Sequence, residues 1–355
     1  MGQHPGRYWT TWQTGSTINK KVMTNETSKT GPPRISVIIE GFNETRSRGT
    51  AADTMLALQR QDFPIDQVEI ILIGNAEQTQ DWNESYGGET PFYAVRIIEA
   101  EAAHYLELKN LGGELATAPI VAFTDSDVCP KPTWLAAVTE GISSGADVVV
   151  GPSLFKASDS WRSDTPTRLV AAAFTWGWIV GKAEDHQPPP PRGFMDHNAA
   201  FRAETFKAHH YRTDLGRICG APLLYRDLVN AGIKLALHPD QQAVHFFAWR
   251  YWLIGLHFRY GYEVFQLRRL DKDYPHRWIR RTLILEPVIT MIYHMLLDVP
   301  RWFRVSRFLR IHPARRVFWF PLALCLSAAA RSAEMAGMFA TLIAPQKMKH
   351  WAENV

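Results

Sequence analysis

Apolar residues in this chain follow two rhythms. Short dense blocks occur at Arg34-Ile-Ser-Val-Ile-Ile39, Val68-Glu-Ile-Ile-Leu-Ile73, Phe92 to Ile98, Ile120 to Phe123, Asp147-Val-Val-Val-Gly151 and Ile233-Lys-Leu-Ala-Leu237. They are brief, rich in β-branched residues and mostly bounded by Gly, Pro or Asp, which predicts buried strands. Between them the apolar positions thin to helical spacing: Thr50 to Arg60, Tyr105 to Ala116, Trp134 to about Gly145, and Leu223 to Ala231 with Gly232 as its C-cap. Strands alternating with helices predict an α/β fold with a doubly wound, mostly parallel sheet. Residues 1–33 are polar and lack an apolar core, so a mobile N-terminal extension is expected there. Pro239 to His245 is expected to be a loop. Ser158 to Gly193 is expected to be irregular, with Pro188 to Pro191 an extended, flexible loop.

The strand at Ile120 ends in Thr124-Asp125-Ser126-Asp127, and Pro130 and Pro132 keep a helix from starting at once. In open α/β sheets ligands gather beyond the carboxyl ends of the strands. Two carboxylates one residue apart there suit a hard divalent cation, which could carry a diphosphate. A polar strand-end turn is the alternative.

Six pieces in order carry a resemblance. They are the Ser-Val-Ile-Ile strand with Asn43-Glu44 in its loop, the Glu69-Ile-Ile-Leu-Ile strand, Lys109-Asn110, Phe-Thr-Asp125-Ser-Asp127 followed by Trp134-Leu135, Asn198-Ala-Ala-Phe-Arg202, and Gly232-Ile-Lys-Leu with Pro239 and Val244-His245. Together they resemble glycosyltransferase family 2 over residues 34–265. The resemblance implies a GT-A fold, a nucleotide-diphosphate sugar donor, Mg2+ or Mn2+ at a DxD motif, and inversion at the anomeric carbon. It implies Asp127 and His245 as metal ligands, although His245 is equally a core or capping histidine. The donor would contact Asp125, Ser126 and Lys109, with Ile39, Glu40, Asn43, Glu44, Gly74 and Asn75 around its base and ribose.

Two features depart from the family pattern. Gly74-Asn75-Ala76 stands where an Asp usually follows the second strand, and Glu40 stands where proline is common. Inverting members also carry an acidic pair ahead of the helix that precedes Gly232, but here Cys219-Gly220-Ala221-Pro222 holds no carboxylate. An acceptor hydroxyl must still lose its proton to a base. Asp196 is the first candidate, with Asp214 behind it; a helix cap or turn is the other reading of Asp196. The expected activity is sugar transfer to a glycan or lipid-linked acceptor in polysaccharide or cell-envelope glycan synthesis. The alternative is an impaired relative serving as a sugar- or glycan-binding subunit.

Charge divides the chain. Phe246 to Arg316 is net +9, which leaves about −5 for the remainder, and Trp249, Trp252, Phe258, Tyr260, Tyr262 and Trp278 are interleaved with the basic residues. Apolar segments follow at Thr282 to Val299, Val317 to Ala330 and Met335 to Ala344. None supplies the ~20 clean apolar residues of a simple spanning helix. Glu286, Arg331 and Glu334 would be costly at bilayer depth unless they face protein. Residues 266–355 are therefore expected to form a basic, apolar helical region lying on an anionic membrane surface at its cytoplasmic face, peripheral or shallowly inserted. An integral span and ordinary buried helices are the alternatives. Three cysteines without CxxC spacing fit neither a zinc site nor a disulfide framework. No G-x-G-x-x-G follows the first strand and no nucleic-acid reader motif occurs, which argues against dinucleotide chemistry and a nucleic-acid partner.

Overall fold

The structure, a computed structural model, describes residues 20–26, 31–44, 49–100, 104–157, 191, 193–213, 216–248, 251–271, 276–308 and 311–354. Its strands are β1 (Lys20–Glu26), β2 (Ile35–Glu40), β3 (Val68–Gly74), β4 (Ala94–Ala100), β5 (Ile120–Asp125), β6 (Val128–Pro130), β7 (Val148–Val150), β8 (Ser153–Ala157), β9 (Ala199–Arg202), β10 (Leu235–Leu237) and β11 (Ala243–Phe247). Its helices are α1 (Ala51–Gln59), α2 (Ala76–Tyr86), α3 (Tyr105–Leu115), α4 (Trp134–Ser143), α5 (Ala203–Ala208), α6 (Gly220–Asn230), α7 (His257–Leu270), α8 (Glu286–Phe308), α9 (Pro313–Ile343) and α10 (Pro345–Asn354).

Eight strands form one sheet in the order β1-β4-β3-β2-β5-β9-β7-β10. The pairs β4-β3-β2-β5 and β7-β10 are parallel, whereas β1 and β9 run antiparallel to their neighbours. Because side chains alternate along a strand, the dense apolar blocks feed both faces. Ile35, Val37 and Ile39 of β2 join Val68, Ile70 and Leu72 of β3 in one core. Ile38, Ile71 and Ile73 join Val121 and Phe123 in the other. Burial on both faces explains why these strands read as runs rather than as alternation.

Several sequence expectations change. The polar N-terminal segment is not wholly an extension: Lys20–Glu26 pairs with Ala94–Ala100 as an edge strand. Ala199–Arg202 is a strand between β5 and β7. Of the expected loop Pro239 to His245, residues 239–242 are irregular, but Ala243 onwards is β11, the middle of a second sheet, β6-β11-β8. Its register sets His245 opposite Val128 and Phe155, so backbone pairing over long separations overrides a weak local pattern. Residues 158–190 and 192, which include most of the proline run, lie outside the described residues. The expected domain boundary between residues 265 and 266 falls inside α7.

The C-terminal helices are inverted in polarity. On α8, Glu286, Thr290, His294 and Asp298 follow at i+4 spacing and are buried. They meet Arg268, Arg269, Glu334, Ser327 and Arg331. Ile284, Leu285, Ile292, Leu296 and Phe303, together with Val317, Phe318, Leu322, Leu324, Leu342 and Ile343 of α9, are exposed. Helices α7 and α9 cross with their backbones in contact: a Cβ on Gly261 would strike the Glu334 carbonyl, and one on Gly337 would strike that of Phe258. No helix among the described residues is long and apolar enough to cross a membrane.

Candidate active site

Parallel register aligns the carboxyl ends of β2 and β5, so Glu40 pairs with Asp125. Just beyond, one hydroxyl organises the turn: Thr54 Oγ1 lies 3.2 Å from the Asp125 carbonyl, 3.0 Å from that of Ser126 and 2.9 Å from that of Val128. Capped by Thr50, α1 thus anchors the Asp-Ser-Asp loop from below. Asp125 is sealed. Lys109 Nζ donates to its Oδ1 at 2.5 Å and the Tyr105 hydroxyl to its Oδ2 at 2.8 Å, both from α3. Burial alone would raise the Asp125 pKa, but the Lys109 charge overrides it and holds the carboxyl at about 2. Lys109, expected beside donor phosphates, is 0% exposed and engaged with Asp125.

Asp127 points elsewhere. Its Oδ1 is 3.4 Å from His245 Nε2 and is a buried oxygen without a hydrogen-bond partner, as is His245 Nδ1 among ring nitrogens. Burial would lower the His245 pKa, but Asp127 and then Asp125 and Asp196 raise it above the ordinary value. The His245 ring stacks on His197, with centroids 4.6 Å apart and planes 14° apart. His197 lies 2.9 Å from Ser153 Oγ through Nε2 and 3.7 Å from Asp196 Oδ1 through Nδ1. Two carboxylate–imidazole pairs therefore face each other across the stack. Ser126 is fully buried with its hydroxyl unpartnered.

The loop after β2 closes the other side. Glu40 Oε2 accepts from the Phe42 amide at 2.6 Å, and its Oε1 is buried without a partner. Burial, then the charges of Asp125 and Asp127, push its pKa well above the carboxylate range. Asn43 Oδ1 accepts from Arg217 at 2.8 Å, and the guanidinium lies over the rings of Phe42 (5.2 Å) and Tyr105 (4.9 Å). Arg217 is half-buried at this edge. Glu44 accepts from the Ala51 amide at 2.9 Å. Ile39 is buried in the sheet. Gly74 must be glycine, because a Cβ would enter the space of Gln78 and Trp82. Asn75 caps α2 through a reciprocal pair with Gln78, whose amide also binds the Gly41 carbonyl.

Sequence reasoning missed Tyr105, His197 and Arg217. His197 follows Asp196 directly and could have been found there. Arg217 meets Asn43 across 174 residues, with no local signal. Asp214 lies outside the described residues. At the start of α6 an acidic contact comes from α7: Glu263 Oε2 accepts from the Ile218 and Cys219 amides at 2.8 and 3.0 Å and Oε1 pairs with Arg259.

Among the described residues no group of three or more His, Cys, Asp or Glu side chains is arranged to hold a metal ion. The pair Asp127 and His245 nonetheless fits a Mg2+ or Mn2+ ion that takes its remaining ligands from phosphate and water. Each offers a buried polar atom that the protein leaves unsatisfied.

The profile described as Glycosyl transferase family 2 matches residues 36–209, just under half of the chain. Glycosyltransferase AglE of Haloferax volcanii is 29% identical over 121 residues, which cover 34% of this chain and 39% of the relative's length. In structure, the mannosyltransferase PcManGT from Pyrobaculum calidifontis, described in complex with GDP-Man and Mn2+, superposes with a TM-score of 0.53. It is 19% identical, with 88% of each chain covered, a likeness of fold. Residues 36–209, which hold Asp125 at the end of β5 and Asp127 just beyond it, match glycosyl transferase family 2, and the chain as a whole has the GT-A fold.

Proposed function

We propose that the chain transfers a sugar, with inversion, from a nucleotide-diphosphate donor to a glycan or lipid-linked acceptor, with Mg2+ or Mn2+ held by Asp127 and His245. The observation that carries this reading is the unsatisfied Asp127 oxygen beside His245, at the strand end where ligands of open sheets gather. The ligands named for the Pyrobaculum protein, GDP-Man and Mn2+, support the same ligand class here. A bound cation would neutralise charge developing on the departing diphosphate. Arg217 supplies a second positive charge, fixed by Asn43 and two rings. Asp125, kept ionised by Lys109 and held by Tyr105, positions the loop that carries Asp127.

Asp196 is the proposed base. Its charge reaches Lys109, Arg217 and His245, which puts it within the same cluster. The acceptor oxygen bonds to the anomeric carbon as the bond from that carbon to the phosphate oxygen breaks. The acceptor proton passes to the Asp196 carboxylate, and the nucleoside diphosphate leaves. One observation favours a second reading, a non-catalytic binding subunit: the carboxylate reaching the start of α6 is Glu263, committed to two amides and Arg259. Nucleotide-sugar turnover with Mn2+ decides between them. Release of nucleoside diphosphate that disappears in Asp127→Ala and Asp196→Asn supports the enzyme, and Mn2+-dependent donor binding without turnover in the native chain supports the subunit.

A further inference from the structure

Helices α8 and α9 reverse the usual arrangement of a surface helix, in which charges face water and apolar residues face the core. From Ile284 to Phe303, the exposed large side chains of this region are apolar, while Glu286, His294 and Asp298 are buried. From Val317 to Ile343 the only charged residues are Arg331 and Glu334, and both are buried. Arg331 binds Asp298 at 2.9 Å and Glu334 at 2.8 Å, and Glu334 also meets His294 at 2.8 Å. Burying paired ions while leaving leucines, isoleucines and phenylalanines outside suits a hydrocarbon surround better than water.

The charge at the rim selects the surround. Among the described residues from 276 to 344 every acidic side chain is buried, whereas Arg280, Arg281, Arg307 and Arg315 are exposed. Phe303 and Phe320 are in contact, so the two helices run back along one another and the arginines flank the apolar face at both ends. Arg280 and Arg269 also border a groove of about 700 Å3 whose other walls are Ile284, Phe339, Leu342 and Ile343. Apolar surface framed by cations matches acyl chains framed by anionic headgroups.

We propose that the outer face of α8 and α9 docks on an anionic lipid bilayer, with both helices lying in the plane of one leaflet. Their inner face is packed on α7, which is tied to the sheet domain through Glu263 and through the Arg226–Asp271 pair. A crossing orientation would draw α7 and these charges into hydrocarbon, so only one side is available to lipid. This inference rests on the C-terminal helices alone and is independent of the sugar-transfer reading.

The test is co-sedimentation of the purified full chain with phosphatidylcholine vesicles and with vesicles that also carry phosphatidylglycerol. Binding is expected to the anionic vesicles and to weaken in high salt. Leu296→Asp with Phe303→Asp removes apolar contact at exposed positions, and Arg307→Glu with Arg315→Glu reverses two rim charges. Each pair is expected to weaken binding about tenfold or more. Circular dichroism establishes that the variants are folded, and the arginine pair stands by itself if the apolar pair is not. Absence of the native chain from both vesicle pellets overturns the proposal, as does native-like binding by folded variants of either pair. A dimer in light scattering that Leu296→Asp converts to a monomer, without vesicle binding, assigns the face to a second copy instead.

Discussion

Lys109 Nζ stands 2.5 Å from Asp125 Oδ1, and both side chains are sealed from solvent. Removing one partner of such a buried pair strands the other. Lys109→Met is therefore expected to cost about 3–5 kcal/mol in stability at neutral pH. Urea unfolding measures it. The double variant Lys109→Met, Asp125→Asn should recover part of the loss, and a single variant as stable as the native chain would contradict the coupling.

Asp127 makes a different prediction because it has no comparable partner. Asp127→Asn should leave the melting temperature nearly unchanged without ligands, yet abolish the rise that Mn2+ plus nucleotide sugar produces in the native chain. Turnover should fall by about 100-fold or more. Thermal shift and nucleoside diphosphate release are the two readouts.

Arg217 lies between Phe42 and Tyr105, on Asn43. Arg217→Ala is expected to raise the donor KM by about tenfold, the effect of losing one charge-assisted hydrogen bond to a phosphate. Arg217→Lys keeps the charge but not the planar fork, so it should fall between the two. Steady-state kinetics with varied donor checks the order.

His257 gives a pH signature. Burial, then the Arg331 charge, lower its pKa to about 4, and its Nδ1 lies 2.8 Å from the Trp252 carbonyl. Between pH 6.5 and about 4 the unfolded chain takes up a proton that the folded chain refuses. Stability is thus full above pH 6.5 and falls as pH drops through this window, by on the order of 3 kcal/mol. Glu334, held at about 2, adds its own loss only below the ordinary glutamate range. Melting temperatures from pH 7 to 4.5 should decline less steeply in His257→Asn.

The crossing of α7 and α9 supplies a last test. Gly261→Ala places a methyl against the Glu334 carbonyl, and Gly337→Ala places one against that of Phe258. Backbone cannot yield as a flexible side chain does. Each is expected to destabilise by about 1–3 kcal/mol, measured by thermal melting.

Much of the sheet was legible because its strands are buried on both faces and stand out as apolar blocks. The Asp125-Ser126-Asp127 loop was legible for the same reason: a strand ended in carboxylates. Lys109 was singled out by resemblance as a donor-phosphate contact, but its burial against Asp125, sixteen positions away, had no local signal. β11 was lost because His245 interrupts its apolar pattern and its partners, Val128 and Phe155, are distant in sequence. The inverted helices were half legible. Glu286, Arg331 and Glu334 were recognised as costly in an apolar medium, and the i+4 row Glu286, Thr290, His294, Asp298 was there to be seen. Which medium lies outside that row is a property of assembly, not of periodicity.

With no side chain between α7 and α9 at Gly261 and Gly337, neither helix can slide past the other like a piston. Whatever displaces α7 therefore carries α9 with it, main chain pressing on main chain.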